Sequence, residues 1–142
     1  MVSSEALNVA ELRVSGPDAE VEELKARVGL ELDASWKKGE SRLGGRLQES
    51  AGFNACVGEC KSPGALMDAV RCFLARARGT GLSFEGSGLE AQLDLGIGVG
   101  TSDQFAAGLA VSIEDMQQLI ELGLKLVVTA YPVSGESGGN VT

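Results

Sequence analysis

A chain of 142 residues, 44% apolar and 23% charged with a formal net charge of −8, is long enough for one domain with a core and too apolar for a disordered polymer. The acidity speaks against general binding to nucleic acid, which needs a basic patch to displace counterions from phosphates. Histidine is absent, so no His-dependent Ser or Cys triad can be assembled within the chain.

Residues 6–15 predict a first strand, with Leu12 and Val14 on one face and Arg13 on the other. Ser15-Gly16-Pro17-Asp18 opens a helix with a capping side chain and an acidic first turn; Val21, Leu24 and Val28 space its apolar stripe, and Gly29 ends it. Residues 30–45 are the least regular. Leu30, Leu32 and Trp36 anchor a polar stretch, Lys37-Lys38-Gly39-Glu40 reads as a turn and Gly44-Gly45 as a bend. Residues 53–57 predict a short strand, with Phe53, Ala55 and Val57 on one face and Cys56 on the other.

Ser62-Pro63 begins the central helix, where Leu66, Ala69, Val70, Phe73, Leu74 and Ala77 recur at helical spacing and Arg71, Arg76 and Arg78 suit the negative end of the dipole. Gly79-Thr80-Gly81 terminates it, and residues 82–88 read as a short extended piece. Residues 89–99 form the clearest strand: Leu89, Ala91, Leu93, Leu95, Ile97 and Val99 alternate with Glu90, Gln92, Asp94, Gly96 and Gly98. Gly100-Thr101-Ser102-Asp103 then predicts a turn that returns Phe105, Ala107, Leu109 and Val111 as the second arm of a hairpin. Ser112 caps a last helix with Glu114 and Asp115 in its first turn; Ile113, Met116, Leu119 and Ile120 share a face, and Gly123 stops it. Leu124, Leu126, Val128 and Ala130 alternate as a final strand, and residues 134–142 read as a flexible tail.

These elements predict an α+β fold, an antiparallel-rich sheet of about five strands with helices packed on one face, as a single domain over residues 6–133. Leu12-Arg13-Val14-Ser15 with its following helix and Gly29-Leu30-Glu31-Leu32 echoes Leu109-Ala110-Val111-Ser112 with its helix and Gly123-Leu124-Lys125-Leu126. The echo reads as a duplicated strand–helix–strand unit or, preferably, as one local grammar used twice.

Gly29-Leu30 and Trp36-Lys37-Lys38-Gly39-Glu40, with Ser112 to Asp115, Leu122-Gly123 and Tyr131, resemble a bacterial family, the domain of unknown function 4279. The likeness extends over residues 8–133. No activity or site comes with that family. It implies a small bacterial cytoplasmic protein of a type encoded near toxin systems, hence an immunity protein.

Three cysteines, Cys56, Cys60 and Cys72, lack the spacing of a disulfide framework and read as reduced thiols of a cytoplasmic protein. As a metal site they would need a fourth ligand, so none is expected. Gly96-x-Gly98-x-Gly100 lacks the third-glycine spacing and following helix of a phosphate loop, and suits close approach by a loop, a helix or a second subunit. Trp36 reads as a recognition anchor or, preferably, as cover for one edge of the core. No apolar run reaches the ~18–20 residues of a membrane span, and no basic stretch precedes an apolar one at the start as in a secretory signal.

Charge is uneven: residues 89–142 carry seven acids and one base, whereas residues 41–88 carry four acids and six bases. An acidic surface favours a basic partner by attraction at a distance. Candidate contact residues are Trp36, Glu90, Asp94 and Asp103, with Glu114, Asp115 and Glu121 on the last helix; Glu90 and Asp94 share a strand face with Gln92 as an acidic strip. The expectation is a non-catalytic protein-binding module, an immunity protein neutralising a cognate basic toxin, without cofactor, nucleic-acid or membrane partner, and with a homodimer allowed. The alternative is a small-ligand sensor using the glycine-rich face as a pocket. An enzyme with a carboxylate or Cys nucleophile ranks third.

Overall fold

The computed structural model describes residues 7–41 and 45–133. Along them run β1 (Asn8–Gly16), α1 (Asp18–Arg27), β2 (Leu32–Trp36), β3 (Ala51–Cys60), α2 (Pro63–Gly79), β4 (Glu90–Val99), α3 (Ile113–Leu122) and β5 (Lys125–Pro132). The strands form one sheet in the order β2-β3-β1-β4-β5, antiparallel throughout except for β4 and β5, which run parallel. The chain is therefore α+β, with a mostly antiparallel five-stranded sheet under one layer of helices. β1–α1–β2 steps over β3 and β3–α2–β4 steps over β1, two interlocked split β-α-β units. β4–α3–β5 joins neighbours and adds the fifth strand.

Alternation decides which side of each strand meets the helices. On β1, Ala10, Leu12 and Val14 are buried under the helices while Glu11, Arg13 and Ser15 face away; on β4, Ala91, Leu93, Leu95 and Ile97 alternate with Glu90, Gln92 and Asp94 in the same sense. β3 follows with Phe53 and Ala55 inward and Asn54 and Cys56 outward, until the register shifts opposite Ala10 and Glu11. That bulge leaves Val57 half-buried and turns Gly58 under α2, where an added Cβ would stand 2.9 Å from the Ala69 methyl. Glycine is needed there for the helix to lie this close.

α2 begins as its sequence predicts: Ser62 Oγ accepts from the Ala65 N–H at 3.1 Å, and Leu66, Met67, Val70, Phe73, Leu74 and Ala77 enter the core. Val21 and Leu24 do so from α1, but its start differs from expectation, because Pro17 occupies the cap and no side chain caps it. The C-terminal ends of α1 and α2 are tied by Arg27 donating to the Thr80 carbonyl and Arg76 to that of Val28. At the other end of the sheet, Asn8 and Gln104, both buried, exchange side-chain amide hydrogen bonds. Asn8 also donates to the Cys60 carbonyl, so this polar pair has partners where water cannot supply them.

Several local expectations change. Residues 32–36, read as irregular, are the edge strand β2. Residues 82–88 form no strand, although Leu82 and Phe84 are core residues and the Phe84 N–H donates to the Leu122 carbonyl at 2.8 Å. Residues 105–111 are not a hairpin arm, because both edges of β4 are already taken, by β1 and β5. The glycines of β4 instead admit the end of β5: the Tyr131 ring lies over Gly96, and Val133 lies against Gly98. The echoing units are built differently, since residues 109–111 form no strand and β5 lies beside β4, whereas β1 and β2 are separated by β3. Residues 134–142 and Gly44 lie outside the described residues. No helix among the described residues is long and apolar enough to cross a membrane.

Candidate binding face of the sheet

The side of the sheet away from the helices is polar. Five strands converge on it: Trp36 from β2, Gly52, Asn54 and Cys56 from β3, Glu11, Arg13 and Ser15 from β1, Glu90, Gln92 and Asp94 from β4, and Lys125, Thr129 and Tyr131 from β5. Trp36 is half-buried and rests on Gly52, where any side chain would overlap its indole. It therefore flanks this face rather than covering the core on the other. Beside it, Arg13, Ser15, Asn54, Gln92 and Lys125 line a hollow of about 570 Å³ that Glu90 borders. A second hollow of about 210 Å³ lies between Arg13, Asp94, Thr129 and Tyr131.

Arg13 joins the two hollows and holds a carboxylate on either side, Asp94 Oδ2 at 2.6 Å from Nε and Glu11 Oε1 at 3.0 Å from its terminal nitrogen. Burial, and next a hydrogen bond with Asp33, hold the Glu11 carboxyl above its ordinary 4.5 against the pull of Arg13. Cys56 sits across the ladder from Glu11, and burial followed by the charges of Asp33, Glu59 and Glu11 pushes its thiol up. A thiol so surrounded resists forming the thiolate that nucleophilic chemistry requires. Cys56 and Cys60 are half-buried on β3 and Cys72 is exposed on α2; all three thiols are free.

The residues singled out from the sequence fall in three places. Trp36, Glu90 and Asp94 share the open face, and Glu90, Gln92 and Asp94 do align along β4, but Asp94 is bound to Arg13, so the strip carries mixed charge. Asp103 is exposed in the loop after β4. Glu114, Asp115 and Glu121 belong to α3, in the layer on the other side of the sheet, and the structure does not bring them to the open face. Asp115 is only 3% exposed. It completes a capping box with Ser112 and takes Arg71 Nε on both oxygens at 3.1 Å. The Arg71 bonds, then those from Ser112, outweigh burial and hold its carboxyl below the usual range. Arg71 also donates to the Ala110 carbonyl at 2.9 Å, so the pair pins the approach to α3 onto α2. Glu121 pairs with Arg78 at 3.0 Å.

Sequence reasoning missed Glu11, Arg13, Asn54, Lys125 and Tyr131 as members of one surface. Alternation against the core placed Arg13 outward; only strand order sets it between Asp94 and Trp36. Compared with protein-family models, with curated proteins and with solved structures, the chain matches none.

Proposed function

We propose that this chain is a non-catalytic binding protein and that its uncovered sheet face receives a protein partner. The observation that carries the reading is the 570 Å³ hollow, where one indole stands beside Arg13, Ser15, Asn54, Gln92 and Lys125 on the face without helices. Trp, Tyr and Arg dominate binding energy at interfaces, and here Arg13 lies between Trp36 and Tyr131. The raised thiol of Cys56 and the want of any histidine support a role without catalysis. The resemblance to the domain of unknown function 4279 supports the narrower form, a cytoplasmic immunity protein that neutralises a basic toxin. Glu90 would meet such a partner directly, while Asp94 would do so by exchanging Arg13 for a cation of the toxin.

Trp36 is the sole tryptophan, so its emission reports what happens on this face. Adding the product of the neighbouring gene should shift that emission, and association should slow as salt rises, over a Debye length of about 8–10 Å. Arg13→Glu and Glu90→Lys should each change the rate by about tenfold. Emission indifferent to the partner, with rates unaltered in both variants, overturns the reading. A small polar ligand is the second reading, favoured because the hollow's volume falls among those of ligand sites, about 300–1,000 Å³. It would show as a raised melting temperature with a small molecule and no captured protein.

A further inference from the structure

The two edges of the sheet are built in opposite ways. β2 has five residues, its pairing slips between Leu32 and Ala34, it carries Asp33, and Lys37 and Lys38 follow at once. Short length, a bulge and charge are what keep an edge strand from pairing with another chain. β5 has eight residues, pairs with β4 without a register shift, and has Lys125 as its single charged residue. No described strand lies on its outer side.

Beside β5, α3 presents an apolar stripe away from the core. Asp115, Leu119 and Leu122 turn inward, whereas Ile113 is 67%, Met116 46% and Ile120 71% exposed. Helical spacing puts Ile113, Met116 and Ile120 on one face with Leu119; the structure buries only Leu119 of the four. The stripe's direction follows from α3's partners: Asp115 and Glu121 reach Arg71 and Arg78 of α2, and Ile113, Met116 and Ile120, at i, i+3 and i+7, lie round the helix on the flank away from those contacts. α3 packs against β5, and on that strand Val128 is itself 51% exposed. Val128 and Ala130, with Leu109 and Val111, line an apolar groove of about 340 Å³.

We propose that this edge binds a second copy of the same chain, β5 against β5 in antiparallel pairing about a two-fold axis, with the α3 stripes meeting above the joined sheet. Three observations select that occupant. A long edge with free backbone donors and acceptors is a template for another strand, and an antiparallel two-fold offers each copy the same edge. The chain carries −8, so a second copy is repelled everywhere except where the contact is uncharged, and β5 with the stripe is such a place. A basic partner would gain nothing from it. The footprint, an eight-residue strand with a helix above it, is about 26 Å long and about 20 Å deep. Its projected area, about 500 Å², approaches the ~600–1,000 Å² that each partner gives to a stable interface.

The test is the mass of the full chain in solution by light scattering across a dilution series. The expected result is twice 14.6 kDa at micromolar concentration. Val128→Lys and Ile120→Glu, both at exposed positions, should each return the single mass with the helix and strand content of the wild type, melting at a temperature that no longer rises with concentration, and the β5 amides should exchange with solvent faster in both. A wild type that stays at the single mass to millimolar concentration overturns the proposal and leaves the edge to a different chain. A dimer that survives both substitutions overturns it as well. Because Trp36 lies on the opposite edge strand, loss of the dimer leaves the open-face titration intact, and the two readings fail separately.

Discussion

The two faces of the sheet come from the same strands, residue by residue in alternation, yet they are organised by different forces. Under the helices, Leu12, Val14, Phe53, Leu93 and Leu95 are removed from water, and the layer is closed by apolar contacts, by arginine bonds between helix ends and by the half-exposed Arg71 on the buried Asp115. On the open side, Arg13 and Lys125 remain at water, Glu11, Gln92 and Asp94 are half-buried, and hollows persist because nothing packs into them. Burial makes the covered face costly to alter. Exposure makes the open face cheap to alter, so its arrangement of Trp36, Arg13 and the carboxylates is free to serve recognition. Acidic residues show the contrast most sharply: Asp115 is held below its ordinary range and Glu11 above it, so acid acts on the two faces in opposite directions.

The largest effect tests the covered face. Phe73→Ala should cost about 3–5 kcal/mol, from lost burial and the cavity left behind, and should move the urea midpoint accordingly. An unchanged midpoint would break the assignment of α2 as the central support of the layer.

Asp115→Asn should cost about 2 kcal/mol, less than a fully enclosed pair because Arg71 keeps 40% of its side chain at water. The contribution of Asp115 is fully present above its ordinary 3.8 and is lost as pH falls through its lowered folded value. Below about pH 4 the wild type should therefore lose stability more steeply than the variant, read as melting temperature against pH. Parallel curves would show that the pair does not contribute in this way.

The smallest effect belongs to the open face and has the opposite sign. The folded chain holds the Glu11 proton more tightly than the unfolded chain, so stability falls as pH rises through 4.5 toward the raised folded value. Glu11→Gln should remove that slope and leave the protein equal or slightly more stable at neutral pH, by less than about 1 kcal/mol. A variant clearly less stable at pH 7 would mean that the bond to Arg13 outweighs burial, and that this face is held together rather than held open.

Much of the molecule was legible in its residues. Helical spacing in 66–77, the caps at Ser62 and Ser112, the stop at Gly123 and the alternation in 89–99 are local, and the structure keeps them all. Alternation in residues 6–15 and 89–99 also put Arg13 and Asp94 away from the core, but not on one shared surface. What sequence by itself could not decide was which elements meet. A strand's pattern states that one face is buried and is silent on its neighbours, so the hairpin expected after Val99 gives way to pairing with β1 and with β5 across long separations. An apolar helix face likewise has a width and not a direction. In α3 the ion pairs to α2 and the capping role of Asp115 turn Leu119 and Leu122 inward and leave Ile113, Met116 and Ile120 outside. Those contacts join residues some forty positions apart, and only the folded chain brings them within reach.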